Sequence, residues 1–384
     1  MNSVVKKHLR WPCRSCPSAD LHPRLARTIA SPSPVRSRLV ACLAAIAFLA
    51  SGCGTRPASR FKSPRADLLL EAHTRAFCQV QNGRAWFKKN TEGGQADFWK
   101  SAEMMEMELD AFERTGQARQ LALFEELFQG FIADHGADWS ANTYNDDIMW
   151  MVIACARGYL LTGHAAYREA ARRNFDACSA RAWSGDLGGG LWWRTDNQSK
   201  NACVNGPAAI AAALLARACH EPAYRVQAKN LFLWERATLF DPATGQVYDH
   251  IRRDGGKRST ALTYNQGTFV GAANLLGYTN EALLAATYTM NHLCHDGLLP
   301  ASAETGDAAG FNGICARWIA RFTYERHASP ALASWLQKNA DDAWQARRPT
   351  DNLSWCRWPE PTPAGPRDAW SCSSAVVLLQ VVVK

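Results

Sequence analysis

The sequence lacks most of the patterns by which catalytic chemistry announces itself. Its ten histidines show no metal-ligand spacing and no His-Glu-x-x-His is present, so a zinc-hydrolase reading has no support and neither metal nor cofactor is expected. The one Cys-x-x-Cys, Cys13 to Cys16, has no second pair to complete a zinc site. No nucleophile elbow supports Ser-His-Asp catalysis. Gly188 to Gly190 is followed by no Lys-Ser/Thr and preceded by no strand, so it is not a phosphate loop. Strand-like alternation is nearly missing, the one ambiguous stretch being Val376 to Val383. Excess charge is missing too, although the formal net charge of +8 suggests otherwise. Residues 1–52 carry eight of the 43 Lys and Arg and one of the 35 Asp and Glu, which leaves 35 basic residues against 34 acidic ones. The remainder is +1, no field for nucleic acid.

What is present begins with a leader. A basic stretch ending in Arg36 and Arg38 precedes an apolar run from Leu39 to Ala50, too short to span a bilayer comfortably. Ala50-Ser51-Gly52-Cys53 follows. This is the order of a secretory signal, and its end resembles a bacterial lipobox in which Cys53 is cleaved and lipidated. Leu49 sits one place earlier than the usual large aliphatic, so plain secretion is the competing outcome. Residues 1–52 are thus read as leader, 53–64 as linker and 65–384 as the folded domain, exported to the cell envelope. Nine of the 13 cysteines lie beyond Cys53, mostly in apolar context, where a free thiol behaves as a small hydrophobe. Cys356 and Cys372 flank a loop and are a candidate disulfide.

From about residue 65, helical periodicity dominates. Twelve segments begin near Asp67, Phe98, Gln117, Asp147, His164, Pro207, Glu221, Asn265, Asn280, Asn312, Pro330 and Ser371. The fourth, sixth, eighth and tenth are apolar almost all round, and such a helix must be buried on every face. The segments between them are amphipathic. Alternation of buried and half-buried helices predicts an all-α fold of two concentric rings, an (α/α)6 toroid. An open solenoid is the competing arrangement. Six pairs, and inner helices too apolar to face a groove, favour closure.

Closure has a consequence for function. Consecutive helices run antiparallel, so the inner six run parallel and open their N-termini at one mouth. The long loops 135–146, 182–206, 240–264, 295–311 and 348–370 lead into that mouth. They hold Trp139, Trp183, Trp192, Trp193, Trp355, Trp358 and Trp370, with Asp146, Asp186, Asp196, Lys200, Tyr264 and Asp307. Indole rings stack on sugar faces while polar groups take the hydroxyls, so this collection reads as a sugar-binding bowl. Each tryptophan taken singly is equally at home in loop packing.

Thr143-Tyr144-Asn145-Asp146-Asp147 is the sharpest signal. One Asp before an apolar helix reads as an N-cap. Two side by side repel, and at the mouth of such a bowl they become a candidate acid and nucleophile. Retaining glycosidases need carboxyls about 5–5.5 Å apart, which neighbours at a helix start can reach. Gly188 to Gly190 either admits a bulky ligand to the backbone or is a flexible loop. Asn201 and Asn205, four apart, share a face toward the mouth and either bind hydroxyls or cap the helix. Tyr264, Asn265 and Gln266 carry the same two readings.

Tyr144-Asn145-Asp146-Asp147, Gly188-Gly189-Gly190-Leu191-Trp192-Trp193, Lys200-Asn201 with Asn205, Thr263-Tyr264-Asn265-Gln266-Gly267, and Phe311-Asn312-Gly313-Ile314 with Arg317 resemble, in order, the motifs of glycoside hydrolase family 76. The resemblance covers roughly residues 70–380. It implies an (α/α)6 barrel without metal that cleaves α-1,6-linked mannan internally with retention. It also implies Asp146 as nucleophile and Asp147 as general acid/base, with Tyr144, Asn145, Gly189, Gly190, Trp192, Trp193, Lys200, Asn201, Asn205, Tyr264, Asn265, Gln266, Phe311 and Arg317 as substrate-binding candidates. One departure is Met151 after Trp150, where the family usually carries a second tryptophan. Transfer of the glycosyl group to another sugar, and a silent glycan-binding lipoprotein, are the alternative functions.

Overall fold

The structure is a computed structural model and describes residues 61–382. The leader, Cys53 and most of the linker lie outside the described residues. Twelve helices are present among those described: α1 (Pro64–Phe77), α2 (Phe98–Thr115), α3 (Ala118–His135), α4 (Asn145–Thr162), α5 (Ala165–Ala182), α6 (Ala202–Cys219), α7 (Pro222–Thr238), α8 (Thr263–Leu276), α9 (Thr279–Tyr288), α10 (Phe311–Arg326), α11 (Pro330–Gln345) and α12 (Ala369–Val381). The chain signals three of these starts with a side-chain cap. Ser63 accepts from the Ala66 N–H with Pro64 behind it, Ser329 and Pro330 repeat the arrangement, and Asp368 caps α12 by accepting from the Ser371 N–H. Gly163 ends α4 with φ +74°, a left-handed turn that feeds α5 directly.

Each even-numbered helix packs against the next, from α2 through α4, α6, α8 and α10 to α12, and α12 returns to α2. That last contact closes the ring and excludes the open solenoid. The odd-numbered helices pack outside it. In α4, Ile148 to Ala156 is buried without interruption, and so is Ala202 to Leu215 in α6. A helix with no polar stripe has no face to give to water, which is why these became the inner wall. The all-α (α/α)6 toroid is therefore the fold of the described residues.

Three local expectations are corrected. The sixth helix starts at Ala202, not near Pro207, which lies inside it. A proline within the second turn withholds one N–H from the helix ladder, and complete burial of the flanking residues offsets that loss. A three-stranded antiparallel sheet, β1 (Cys78–Gln81), β2 (Arg84–Asn90) and β3 (Gly93–Gln95), precedes α2. Its signal was Asn82-Gly83, both at positive φ, between Val80 and the buried Ala85 and Phe87. A second small sheet joins β4 (Ser199–Asn201) to β5 (His250–Arg252) and β6 (Lys257–Arg258). The ambiguous stretch is helix from Val376 to Val381, and Val383 lies outside the described residues. Cys356 and Cys372 are free thiols, as are the other described cysteines.

Down the interior of the ring runs a buried ion network. Arg317 of α10 and Arg157 of α4 converge on Glu103, Glu106 and Asp110 of α2, with Arg317 Nε 2.7 Å from Asp110 Oδ2 and Arg157 Nη2 2.7 Å from Asp110 Oδ1. Burial alone would raise the Asp110 carboxyl, but Arg317, Arg157 and Arg321 overcome it and hold the group well below the usual carboxylate range. α4 and α10 lie opposite one another in the ring, so this network, centred on α2, ties opposite parts of the inner wall together.

Candidate active site

The N-termini of the inner helices surround a cleft of about 1050 Å³. Its floor is aromatic. Trp99 from α2, Trp150 from α4, Tyr264 from α8 and Phe311 from α10 all reach it. Tyr264 and Phe311 stack at 3.8 Å between ring centroids, and Trp150 lies 6.3 Å from both Trp99 and Tyr264. Tyr144 and Trp193 meet edge to face at 5.5 Å along the rim.

Asp146 and Asp147 lie in the first turn of α4, half-buried, and both line the cleft. The helix start that carries them is pinned to the loop opposite. The Asn145 backbone N–H donates to the Trp193 carbonyl at 2.9 Å and its side-chain amide to the Trp192 carbonyl at 2.8 Å, while Arg181 Nε donates to Asn145 Oδ1 at 2.8 Å. The Asn142 amide donates to Asp147 Oδ2 at 3.0 Å. Asp146 Oδ1 is buried and has no hydrogen-bond partner among the described residues, although Trp193 and Cys203 lie close enough to pull its pKa partly down.

Both carboxyls are pushed above the usual aspartate range. Burial is the main cause at each; the charge of Asp147 adds to it at Asp146, and the charges of Asp307 and Asp97 add to it at Asp147. Asn142 and Lys100 act against the rise at Asp147. Two neighbouring carboxyls so placed titrate as a pair, the ionisation of one opposing that of the other. The α4 N-terminus favours the first charge to form. The arrangement therefore offers one carboxylate and one carboxylic acid side by side, the requirement for acid-assisted nucleophilic displacement at a sugar.

Of the residues singled out from sequence, Tyr144, Asp146, Asp147, Trp193, Asn201, Tyr264, Phe311 and Asp307 come together at the cleft. The others do different work. Lys200 is fully buried, and its ammonium donates to the carbonyls of Ser184, Asp186 and Gly189 at 3.0, 2.7 and 2.6 Å. Burial lowers its pKa to about 8. Asn205 accepts from the Leu191 N–H and donates to the Leu191 carbonyl. Gln266 accepts from the Val247 N–H and donates to the Gly245 and Ala285 carbonyls. Asn265 is buried and reaches Asp249 at 3.4 Å. Lys200, Asn205 and Gln266 are loop clamps, because a buried loop backbone must find partners, whereas Asn265 reaches the carboxylate of cleft-lining Asp249.

Gly189 and Gly190 serve packing as well. At Gly190, φ is +78° and a Cβ would lie 2.5 Å from the Trp234 ring, so only glycine lets the loop cross that indole. Trp192 is buried, and Arg317 belongs to the buried ion network and does not line the cleft. The expected bowl of loop tryptophans reduces to Trp193. Trp139, Trp355, Trp358 and Trp370 are buried packing and Trp183 is exposed outside the cleft.

Several lining residues had not been singled out: Asp97, Trp99, Gln198, Ser199, Cys203 and the stretch from Asp249 to Asp254 excluding Ile251. Asp249 to Asp254 fall in a loop already recognised as a mouth loop, but nothing in its sequence marks which residues turn inward. Asp97 and Trp99 sit at the start of α2, which follows β3 rather than one of the long mouth loops.

Known proteins place this geometry. Comparison with curated proteins gives no match. Among solved structures, the α-1,6-mannanase of Salegentibacter sp. HEL1_6 is 30% identical, with 83% of this chain and 97% of that one covered and a TM-score of 0.76. An inactive variant of the same enzyme, with two adjacent aspartates changed to asparagine and α-1,6-mannotriose bound, matches equally at 30% identity, 83% and 97% coverage and TM-score 0.76. A Listeria innocua protein at 24% identity shares the fold, with a TM-score of 0.76 over 83% of this chain and 95% of that one. The model of glycosyl hydrolase family 76 matches residues 71–380, nearly the whole of the ring and every element of the cleft. With paired aspartates at the head of an inner helix and that match across the ring, the chain belongs to glycosyl hydrolase family 76.

Proposed function

We propose that this chain is a retaining endo-α-1,6-mannanase in which Asp146 is the nucleophile and Asp147 the general acid/base. The observation that carries the reading is the pair itself: adjacent half-buried carboxyls above an aromatic floor, one held by Asn142 and the other with a bare oxygen. Its support from relatives is that the Salegentibacter enzyme is an α-1,6-mannanase and loses activity when two adjacent aspartates are replaced.

A mannan chain lies with one sugar over the half-buried rings of the floor, Trp99, Tyr264 and Phe311. Asp147 gives its proton to the glycosidic oxygen as that bond breaks, and Asp146 bonds to the anomeric carbon from the opposite face. The leaving chain departs with the proton. Asp147, now ionised, takes a proton from water, whose oxygen displaces Asp146 and restores the α configuration. Both carboxyls are pushed up, chiefly by burial, so the resting pair does not by itself assign the two roles. In a coupled pair the proton passes to whichever carboxyl meets the glycosidic oxygen, so substrate position sets the roles.

Incubation with linear α-1,6-mannan tests this. We expect a ladder of α-configured oligosaccharides, with chain length falling before monosaccharide appears. Steady release of mannose alone, or a first-formed β anomer, overturns the endo or the retaining assignment respectively. Accumulation of products longer than the substrate would favour glycosyl transfer. From the leader we also infer export and lipid anchoring at Cys53, and mass spectrometry of the mature N-terminus decides it.

A further inference from the structure

The two sides of the cleft differ in charge. On the α2 and α10 side stand Asp97 and Asp307, with Lys100 between them at 2.8 and 3.1 Å. On the α6 and α8 side stands the second sheet, whose β5–β6 hairpin reads His250-Ile251-Arg252-Arg253-Asp254-Gly255-Gly256-Lys257-Arg258. Ring order puts α2, with Asp97 at its start, across the ring from α8, whereas α10 adjoins α8.

Arg252 and Arg253 both line the cleft, and both are exposed. They are not loose. β5 is paired with β4, and the Arg253 N–H donates to the Gln198 carbonyl at 2.8 Å, so the hairpin is fastened to the strand that carries Ser199 and Asn201 into the cleft. The Arg252 guanidinium lies across Gly256, where a Cβ would come within 2.7 Å of Nη2, and reaches Asp254 at 3.3 Å. Arg253 makes no ion pair among the described residues, and neither does Lys257. On this braced wall Asp249 is held by His250 and Asp254 by Arg252, which leaves Arg253 as the cleft-lining guanidinium without an ion pair among the described residues.

A neutral sugar chain does not call for this. Hydroxyls need mixed donors and acceptors, which Asp249, Asn201 and Gln198 already supply at the same wall. Adjacent guanidinium groups offer donors alone, in the planar fork that suits phosphate and carboxylate oxygens. We propose that Arg252 and Arg253 form a recognition site for an anionic substituent, phosphate or carboxylate, on the mannan chain. The inference rests on the mannanase reading and adds the substrate class.

The test uses the full chain, a linear α-1,6-mannan, and the same mannan partly phosphorylated or partly carboxymethylated. The quantity read is the selectivity, kcat/KM on the anionic chain over kcat/KM on the neutral parent. In R252Q/R253Q we expect it to fall about five- to tenfold, the size of a lost charge-assisted hydrogen bond. In the wild type we expect it to fall likewise as NaCl is raised, with no mutation involved. The larger loss, with phosphate or with carboxylate, identifies the preferred anion. An equal selectivity in variant and wild type, or one indifferent to salt, overturns the proposal. Should neither mannan be cleaved, the mannanase reading has failed, and binding of the two chains to the D146N/D147N protein, followed by tryptophan fluorescence, still reads the same ratio.

Discussion

The side-chain amide of Asn142 donates to Asp147 Oδ2 at 3.0 Å from the loop that leads into α4. The bond fixes one carboxyl of the pair while its neighbour is left bare, and it stabilises the ionised form of Asp147. The other charged groups that face Asp147 are Asp146, Asp307, Asp97 and Lys100. Burial is the largest influence and raises the carboxyl, Asp307 and Asp97 raise it further, and Asn142 and Lys100 lower it. As general acid, Asp147 must start protonated, so the alkaline limb of kcat marks its deprotonation. Removing Asn142 by N142A takes away a donor and moves that limb to higher pH, with kcat lower by about tenfold from lost orientation. K100M moves the limb the same way and D307N the opposite way. A set of pH profiles in which all three limbs stay in place removes Asp147 as the proton donor.

Much of the ring was legible because it rests on periodicity. Segments such as Ile148 to Ala156 have no polar stripe, and no other solvent-free position exists for them than an inner wall. The Asp pair was legible for a related reason: two adjacent charges at an apolar helix start are anomalous unless used. The division between cleft residues and loop clamps was not legible. Asn205, Gln266 and Lys200 look like sugar ligands in sequence, being polar, at helix starts and beside tryptophans. What decides their role is where the loop backbone runs, and that depends on contacts between residues distant in sequence, such as Gln266 with Gly245. Arg252 and Arg253 were hidden for the converse reason, since a basic hairpin in a mouth loop reads as solvated surface until β4 pins it to the cleft.

Trp192 and Trp193 are neighbours with different fates. Trp192 is buried, with Lys200 Nζ 4.7 Å from its ring centroid. Trp193 lines the cleft. Trp192→Ala should destabilise the protein by about 3–5 kcal/mol, read by denaturant unfolding. Trp193→Ala should leave unfolding nearly in place and raise KM for mannan roughly fivefold, the loss of about 1 kcal/mol of ring contact. The reverse pattern would place Trp192 in the cleft and Trp193 in the core.

Arg317 resembles a substrate ligand in sequence but is fully buried between Glu103, Glu106 and Asp110. Arg317→Met leaves those carboxylates uncompensated and should cost about 3–5 kcal/mol of stability. The pH dependence follows from Asp110. Its folded pKa lies below the ordinary value of 3.8, so its contribution is present above that value and lost as pH falls through the folded pKa. The variant and the wild type should therefore converge in stability on acidification. A variant as stable as wild type near neutral pH, with KM raised, would return Arg317 to the substrate site.

Asp146 and Asp147 share burial and a helix start, so only chemistry separates them. Asp147→Asn removes the acid, and cleavage of mannan should fall about 10²–10⁴-fold because an alkoxide leaves poorly without a proton. On an aryl α-mannoside whose leaving group is already a weak base, the first step should survive in this variant, since Asp146 still attacks. The second step then slows for want of a base to activate water, and a burst of released phenol followed by slow turnover should be seen. Added azide, which needs no deprotonation, should restore turnover and give an α-mannosyl azide. Asp146→Asn should fail on both substrates, and no anion should rescue it with retention, because no glycosyl-enzyme forms. The raised pKa of each carboxyl adds a check. Removing either charge relieves its partner, so the remaining aspartate should titrate lower than in the pair. If Asp146→Asn is instead the variant spared by the activated substrate and rescued by azide, the two roles are exchanged. If the rescued product is the β azide, Asp147 had no covalent intermediate to release, and retention itself is wrong.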